Sequence, residues 1–256
     1  MDGLIKANGV VLIASPYKEY DTRLEILTEK IGRISAFARG SRRPNSSISA
    51  ACLPFTFATF DLYGGKSAYN VHGAQITRHF EELAYDMDAM IYASYFSELL
   101  RYYTRENIPA EREIKLLFLS YSALAKKVLP PALIRIIFEM RLMLIEGEAI
   151  ELSHCVGCGK SSPETKLNTV IFRQGGLLCE ECMAKINPEE LARNIKFTLS
   201  TDALYTLQYI LSAQPQKLFA FNVKEPVIHE LKLFMEKYFK VFVNHEFKSL
   251  KMLETF

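Results

Sequence analysis

Cys155-Val-Gly-Cys158 and Cys179-Glu-Glu-Cys182, separated by 20 residues, carry the clearest chemistry in this chain. Two CxxC pairs at that separation match the spacing of a four-thiolate zinc site. Each pair turns two sulfurs toward one point across a tight knuckle, and two knuckles complete a tetrahedron. Gly157 and Gly159 suit the first knuckle, while Gln174-Gly175-Gly176-Leu177-Leu178 reads as a turn and short strand leading to the second. Unrelated buried thiols or two disulfides would not require paired spacing. The expected ligands are therefore Cys155, Cys158, Cys179 and Cys182, around one Zn2+. Four thiolates close the coordination shell and leave no position for a reactive water, so the expected metal is structural. His154 adjoins Cys155 as a competing donor, which a closed set does not need.

No other constellation reads as a reaction centre. The sequence has no HExxH, no GxSxG, and no His-x-Glu paired with a later PCxxC, the patterns of common hydrolases and zinc deaminases. Gly65-Lys66-Ser67 resembles the end of a phosphate-binding loop, but Phe60 stands where its first glycine belongs. The segment also falls between strands, so no helix N-terminus would receive a phosphate. A hairpin turn is expected there, and no nucleotide. A zinc hydrolase would need an open metal position and a nearby base, and neither is evident.

The basic residues supply the second candidate site. The chain has 31 Lys and Arg against 29 Asp and Glu, a net charge of +2, but residues 1–80 hold ten of the former and six of the latter. That asymmetry points to an anionic partner of the N-terminal third. Arg33, Arg39, Arg42 and Arg43, with Lys18, Arg23 and Lys66 near them in sequence, are the candidate contacts. With Phe37 and Tyr17 or Tyr20 they compose a cationic, aromatic surface suited to single-stranded nucleic acid. Incidental solvated arginines are the alternative.

The elements that must position these residues follow from periodicity. Segments 9–14, 22–28, 33–39, 55–63 and 68–76 read as five strands, several alternating polar and apolar residues. Five antiparallel strands in so short a span suggest a small closed barrel of the oligonucleotide-binding (OB) type. From about residue 80 the period becomes helical. One helix carries Met87, Ile91, Tyr95, Leu99 and Tyr102 and stops at Asn107-Ile108-Pro109. A second runs from about Arg112 to Pro130-Pro131, and a third, from Ala132 to about Glu146, is apolar nearly all round and reads as buried. After the cysteine segment, Asn187-Pro188 and Ser200 or Thr201 look like helix starts. The last long helix places Val227, Leu231, Phe234, Met235, Tyr238 and Phe242 on one stripe. The expected fold class is α+β and multi-domain. Residues 1–80 form an OB-type barrel for DNA binding, and 81–256 an all-helical domain with a four-cysteine zinc ribbon or knuckle inserted at about 150–185.

With 49% apolar and 23% charged residues, the 256-residue chain has an ordinary globular composition. No apolar run approaches the roughly 18 residues of a membrane span. The N-terminus lacks a signal-peptide pattern, and the one further cysteine, Cys52, does not suggest a disulfide framework; a reducing cytoplasm is expected.

Several stretches, in order, resemble the N-terminal barrel of the bacterial RecO family of recombination mediators: Gly9-Val10-Val11-Leu12, Tyr20-Asp21, Thr28-Glu29-Lys30-Ile31-Gly32, Ala38-Arg39-Gly40-Ser41-Arg42-Arg43 and Leu53-Pro54-Phe55. The helical region and the cysteine quartet also match that family's layout. The resemblance implies a non-enzymatic DNA repair and recombination protein that binds single- and double-stranded DNA and anneals complementary strands. It further implies action with RecR to help load RecA onto DNA coated by single-stranded-DNA-binding protein (SSB), in the bacterial cytoplasm at the nucleoid. The acidic, hydrophobic tail of SSB would need a pocket with a basic rim on the helical domain, for which Arg135 or Arg141 are candidates. A different class of function, a zinc-ribbon scaffold that binds protein partners, fits the same cysteines.

Overall fold

Residues 3–65, 67–162, 164–243 and 245–253 are described by a computed structural model; Lys66, grouped above with the basic residues, lies outside them. By packing the chain divides into two compact units, Met1–Pro131 with Phe247–Phe256, and Ala132–Glu246. The change from strand to helix near residue 80 ends the barrel strands. The compact units divide later, after Pro131.

In the first unit, β1 (Leu4–Tyr17), β2 (Asp21–Thr28), β3 (Gly32–Ala38), β4 (Thr56–Tyr63) and β5 (Tyr69–His79) close in the order β1-β2-β3-β5-β4. All neighbours are antiparallel except β3 and β5, which close the barrel in parallel through Ala36 opposite Tyr69 and Phe37 opposite Asn70. Alternation explains the wall: on β3, Ile34, Ala36 and Ala38 are buried while Arg33, Ser35 and Phe37 between them face outward. Inside, Val11, Leu24, Ile26, Phe60, Leu62 and Val71 fill the core. β1 extends well past the predicted 9–14. Its first half pairs with β4, from Leu4 opposite Tyr63, and its second half with β2, to Tyr17 opposite Asp21. A strand shared in this way has half-exposed ends, and no apolar run marks them.

Two helices follow the barrel strands in this unit, α1 (Met87–Tyr103) and α2 (Glu111–Ala125). Asp86 caps α1 by accepting from the Ala89 N–H at 3.1 Å. The predicted stripe is buried at Ile91, Tyr95 and Leu99, but Met87, at the first position of the helix ahead of the packed turns, is 61% exposed. Phe57 of β4 meets Phe80 and Phe118 edge-on at centroid distances of 5.7 and 5.2 Å, and Phe55 meets Tyr121 at 5.4 Å. Edge-to-face contacts of this kind favour a fixed orientation beyond their area burial, and here they seat α2 on the barrel.

The second unit is built around α3 (Pro131–Glu146), which is buried from Leu133 through Met140 as predicted. An ion pair within the helix, Arg135 on Glu139 at 2.7 Å, sits in that buried stretch. A small antiparallel sheet follows, with β6 (Thr169–Ile171) between β7 (Gly176–Leu178) and β8 (Lys196–Thr198). Two short helices, α4 (Glu180–Met183) and α5 (Pro188–Arg193), separate β7 from β8. Asn187 caps α5 from its side chain, with Pro188 at the first position, and Ser200 caps α6 (Thr201–Ser212), both as predicted. On α7 (Glu225–Phe242) the stripe Val227, Leu231, Phe234, Met235 and Tyr238 is buried. Its last member, Phe242, is 39% exposed because it lies in the final turn. Phe172 packs on Phe234 at 5.3 Å and so joins the sheet to α7. Among the described residues no helix is long and apolar enough to cross a membrane.

Candidate metal centre and nucleic-acid interface

The four cysteines converge. The sulfurs of Cys155, Cys158, Cys179 and Cys182 all lie within 4.8 Å of one another. The Sγ atoms of Cys158 and Cys179 are 3.8 Å apart, and a tetrahedron with Zn–S bonds of about 2.3 Å has sulfur–sulfur edges of about 3.8 Å. The donor set and its dimensions thus fit a metal ion.

Local backbone structure makes the convergence. The Cys155 N–H donates to Lys160 O and the Gly159 N–H to Cys155 O, at 2.9 and 2.8 Å, which folds residues 155–160 into one knuckle. Gly159 supplies its positive φ of +75°. Gly157 is required for space, since a Cβ there would meet the Cys182 Sγ at 2.9 Å. The second knuckle is the step from β7 into α4. The Val156 N–H donates to Leu177 O at 2.9 Å and ties the two together. Burial opposes ionisation of Cys155, but N–H groups of Cys179, Cys158 and Gly157 outweigh it and bring the thiol down to about 6. Cys182 is pushed up to about 12, first by its hydrogen bond with Cys179 and then by burial. A divalent cation displaces such protons, since the thiolate is the ligand. His154 takes no part, its Nδ1 lying 3.8 Å from a Glu151 carboxylate oxygen.

On the barrel, Arg39, Arg42 and Arg43 are all exposed around the buried Ser41. The loop that bears them is pinned at three points. The Gly40 N–H donates to Asp21 Oδ1 at 2.8 Å, the Arg42 N–H to Tyr20 O at 2.9 Å, and the Ser41 and Thr22 hydroxyls lie 2.7 Å apart. Asp21, Thr22 and Ser41 were not among the predicted site residues. The one legible signal was that Asp21 and Ser41 fall within stretches resembling the RecO barrel. Arg43 lies over the Tyr20 ring at 5.5 Å, and Lys18 over the Tyr17 ring at 5.4 Å. Arg23 is exposed on β2, with its Nε 3.4 Å from Ser35 Oγ.

Arg33 is placed apart from these. At the opposite end of β3 from Ala38, its Nη1 donates to Glu25 at 3.2 Å and its Nε to Thr104 O at 3.2 Å. Arg101 of α1 holds the same carboxylate in a bidentate grip, at 2.7 and 2.8 Å. Arg33 thus fastens α1 to the barrel wall. The two arginines considered for a basic rim are engaged within the second unit, Arg135 buried and Arg141 half-buried. Arg135 is occupied by Glu139, and Arg141 donates to the carbonyls of Ile210, Leu211 and Ala213 at the C-terminal end of α6. The helix-end carbonyls that Arg141 satisfies would otherwise lack partners.

A closed five-stranded barrel of the oligonucleotide-binding type, carried in one chain with a helical unit that holds a four-cysteine cluster, defines a two-part barrel-and-ribbon protein. Residues 1–80 match the family model for the recombination protein O N terminal, and residues 84–251 that for the recombination protein O C terminal. The DNA repair protein RecO of Alkaliphilus metalliredigens is 31% identical over 253 residues, covering 97% of this chain and 98% of that protein. The DNA repair protein RecO of Acetivibrio thermocellus is 29% identical, covering 98% and 96%. The chain belongs to the RecO family of DNA repair proteins.

Proposed function

We propose that this chain is a non-enzymatic recombination mediator that binds single- and double-stranded DNA and promotes annealing of complementary strands. With RecR it helps load RecA onto SSB-coated single-stranded DNA, in the bacterial cytoplasm at the nucleoid. Arg39, Arg42 and Arg43 hold phosphates, with Lys18 and Arg23 beside them, while Arg33 serves the barrel wall. Lowering the repulsion between two strands suffices for annealing, which is downhill once they meet. The metal is one structural Zn2+ on Cys155, Cys158, Cys179 and Cys182.

The observation that carries the reading is the loop at 39–43, where a buried Ser41 and three anchoring hydrogen bonds leave three arginines exposed on a closed barrel. Family membership and the name of the relatives support it. The test is fluorescence anisotropy of labelled single-stranded DNA with the intact protein at several salt concentrations. Neutralising three or four phosphates gives a log–log salt slope of roughly −2 to −3. Replacing Arg42 and Arg43 together by Ala is expected to shallow that slope by about 1.4. An unchanged slope would move the DNA site elsewhere. Absence of binding at low salt would leave a protein-binding scaffold as the better account.

A further inference from the structure

Part of β1 is paired on one side alone. Its ladder with β4 ends at Val10 opposite Phe57, and the Phe55 N–H donates one more bond on that side, to Val11 O at 3.2 Å. Phe55 has a positive φ of 64°, so the chain ahead of it turns away from β1. The other side stays paired with β2 as far as Tyr17 opposite Asp21. From Leu12 to Tyr17 the side that β4 leaves is an open edge, and among the described residues no backbone pairs with it. The antiparallel ladder fixes which groups face that edge. The Glu29 N–H donates to Asn8 O, so bonded positions recur along β2 at Leu27, Glu25, Arg23 and Asp21. Ala14 and Pro16 stand opposite Leu24 and Thr22, between those positions. The Ala14 N–H and C=O and the Pro16 C=O therefore point to the open side, where a proline costs β2 no bond.

A groove of about 440 Å³ lies along this edge, lined by Leu12 and Ala14 of β1, by Pro54, and by Met90 and Ser94 of α1. Met90 is 38% exposed in it. Glu98 and Arg101 also line the groove but are engaged, Glu98 by the Lys248 and Ser249 N–H groups and Arg101 by Glu25. The exposed Lys248 side chain, on the same lining, has no ion pair among the described residues, so the uncommitted charge is positive. Unpaired backbone beside apolar side chains is complementary to another extended chain. We propose that this groove is a strand-addition site for an extended segment of a partner protein. The segment pairs with Ala14 and Pro16, sets apolar side chains at alternate positions against Met90 and Pro54, and meets Lys248 with an acidic one. The inference does not depend on DNA binding, since no arginine of the 39–43 loop lines the groove.

The open edge can be read in the intact protein by amide hydrogen exchange. The Ala14 amide should exchange at least about tenfold faster than those of Ile13 and Ser15, which bond to β2. Equal protection of all three would overturn the proposal. Occupancy is read by fluorescence anisotropy with labelled octapeptides that alternate leucine and threonine. One carries two aspartates at its N-terminal end and the other at its C-terminal end, since a strand can add in either direction. One of the two should bind and protect the Ala14 amide. Methylating its backbone nitrogens singly should weaken binding about three- to tenfold at alternate positions and little between them. Lys248→Glu should weaken it up to about fivefold. Ala14→Pro should weaken it about three- to tenfold and leave the urea midpoint unchanged, because the N–H it removes bonds nothing in the barrel. Binding of neither peptide, or methylation losses without alternation, would overturn strand addition. Displacement of the bound peptide by oligothymidine would assign the groove to nucleic acid instead. Should Ala14→Pro disturb the barrel, the methylated peptides and Lys248→Glu decide the question.

Discussion

The Ser41 hydroxyl lies 2.7 Å from that of Thr22, both buried, and this contact turns one residue of the arginine loop into the barrel wall while Arg42 and Arg43 face outward. Ser41 also bonds Cys52, whose thiol burial pushes up to about 11, against the lowering effect of that bond. Ser41→Ala removes Thr22's partner, and leaving a buried hydroxyl unpaired costs about 1–3 kcal/mol. The variant should lose that much stability to urea and bind single-stranded DNA more weakly, because its arginines are no longer held in register. Wild-type stability in Ser41→Ala would show that the backbone bonds of Gly40 and Arg42 anchor the loop unaided.

A second prediction concerns Glu25, which ties α1 to the barrel. Burial works against its carboxylate, but Arg101 and then Arg33 outweigh it and hold the group below its ordinary 4.5. A carboxyl lowered on folding adds stability above its unfolded value and loses it as pH falls through the folded one. Glu25→Gln should therefore destabilise the first unit at pH 7 by on the order of 1 kcal/mol, discounted for the partial solvation of the cluster. The gap to wild type should narrow as pH drops below 4.5. Urea midpoints of both proteins at about pH 7 and about pH 3.5 check this; a gap that does not narrow would assign the loss to packing.

Arg33 and Arg39 show where sequence reasoning reaches its limit. Alternation over residues 33–39 places both on the outer face; in the structure Arg33 lies on the outer face of β3 and Arg39 is exposed just past its end. Yet one is exposed and the other is held by Glu25, because Arg101, 76 residues beyond Glu25 in the chain, closes over that end of the strand. Periodicity distinguishes inside from outside, but not which outside is later covered. The same reason explains Arg135 and Arg141, which look like surface charges on an apolar helix but bond to Glu139 and to the end of α6. The cysteine cluster was legible because each half is local, a knuckle of four residues, and only the meeting of two knuckles is tertiary. The return of the C-terminal helix to the first unit had no local signal at all.

Removal of metal gives a third prediction. Structural Zn2+ sites contribute about 10–16 kcal/mol of apparent binding energy to the local fold. Titration with a thiol reagent should release one metal per chain, with loss of ordered structure in the second unit and the barrel retained. Cys158→Ser should bind zinc far more weakly. Gly157→Ala should also weaken it, because the added Cβ would meet the Cys182 Sγ at 2.9 Å, and a ligand atom cannot move aside freely. Full zinc occupancy in Gly157→Ala would mean the knuckle is looser than its contacts imply.

The fourth prediction rests on α8 (Lys248–Leu253), which packs on α1 in the first unit although the whole second unit lies between them in sequence. Phe247, 2% exposed, meets Tyr95 and Tyr102 edge-on at 5.7 and 5.8 Å. Beside it the Glu98 carboxylate accepts from the Lys248 and Ser249 N–H groups, each at 3.0 Å. Those N–H groups at a helix start have no partner within the helix, so Glu98 of α1 caps α8 from outside. Phe247→Ala is expected to cost about 3–5 kcal/mol, the usual range for emptying a buried aromatic site. Glu98→Ala should cost about 1 kcal/mol. Both losses belong to the first unit, so zinc content should be unchanged while the barrel's urea midpoint falls and the α8 segment becomes a target for protease. If instead the barrel keeps its midpoint and only α8 is cut, the C-terminal helix is an attachment to a unit already complete, and Phe247 contributes to docking alone.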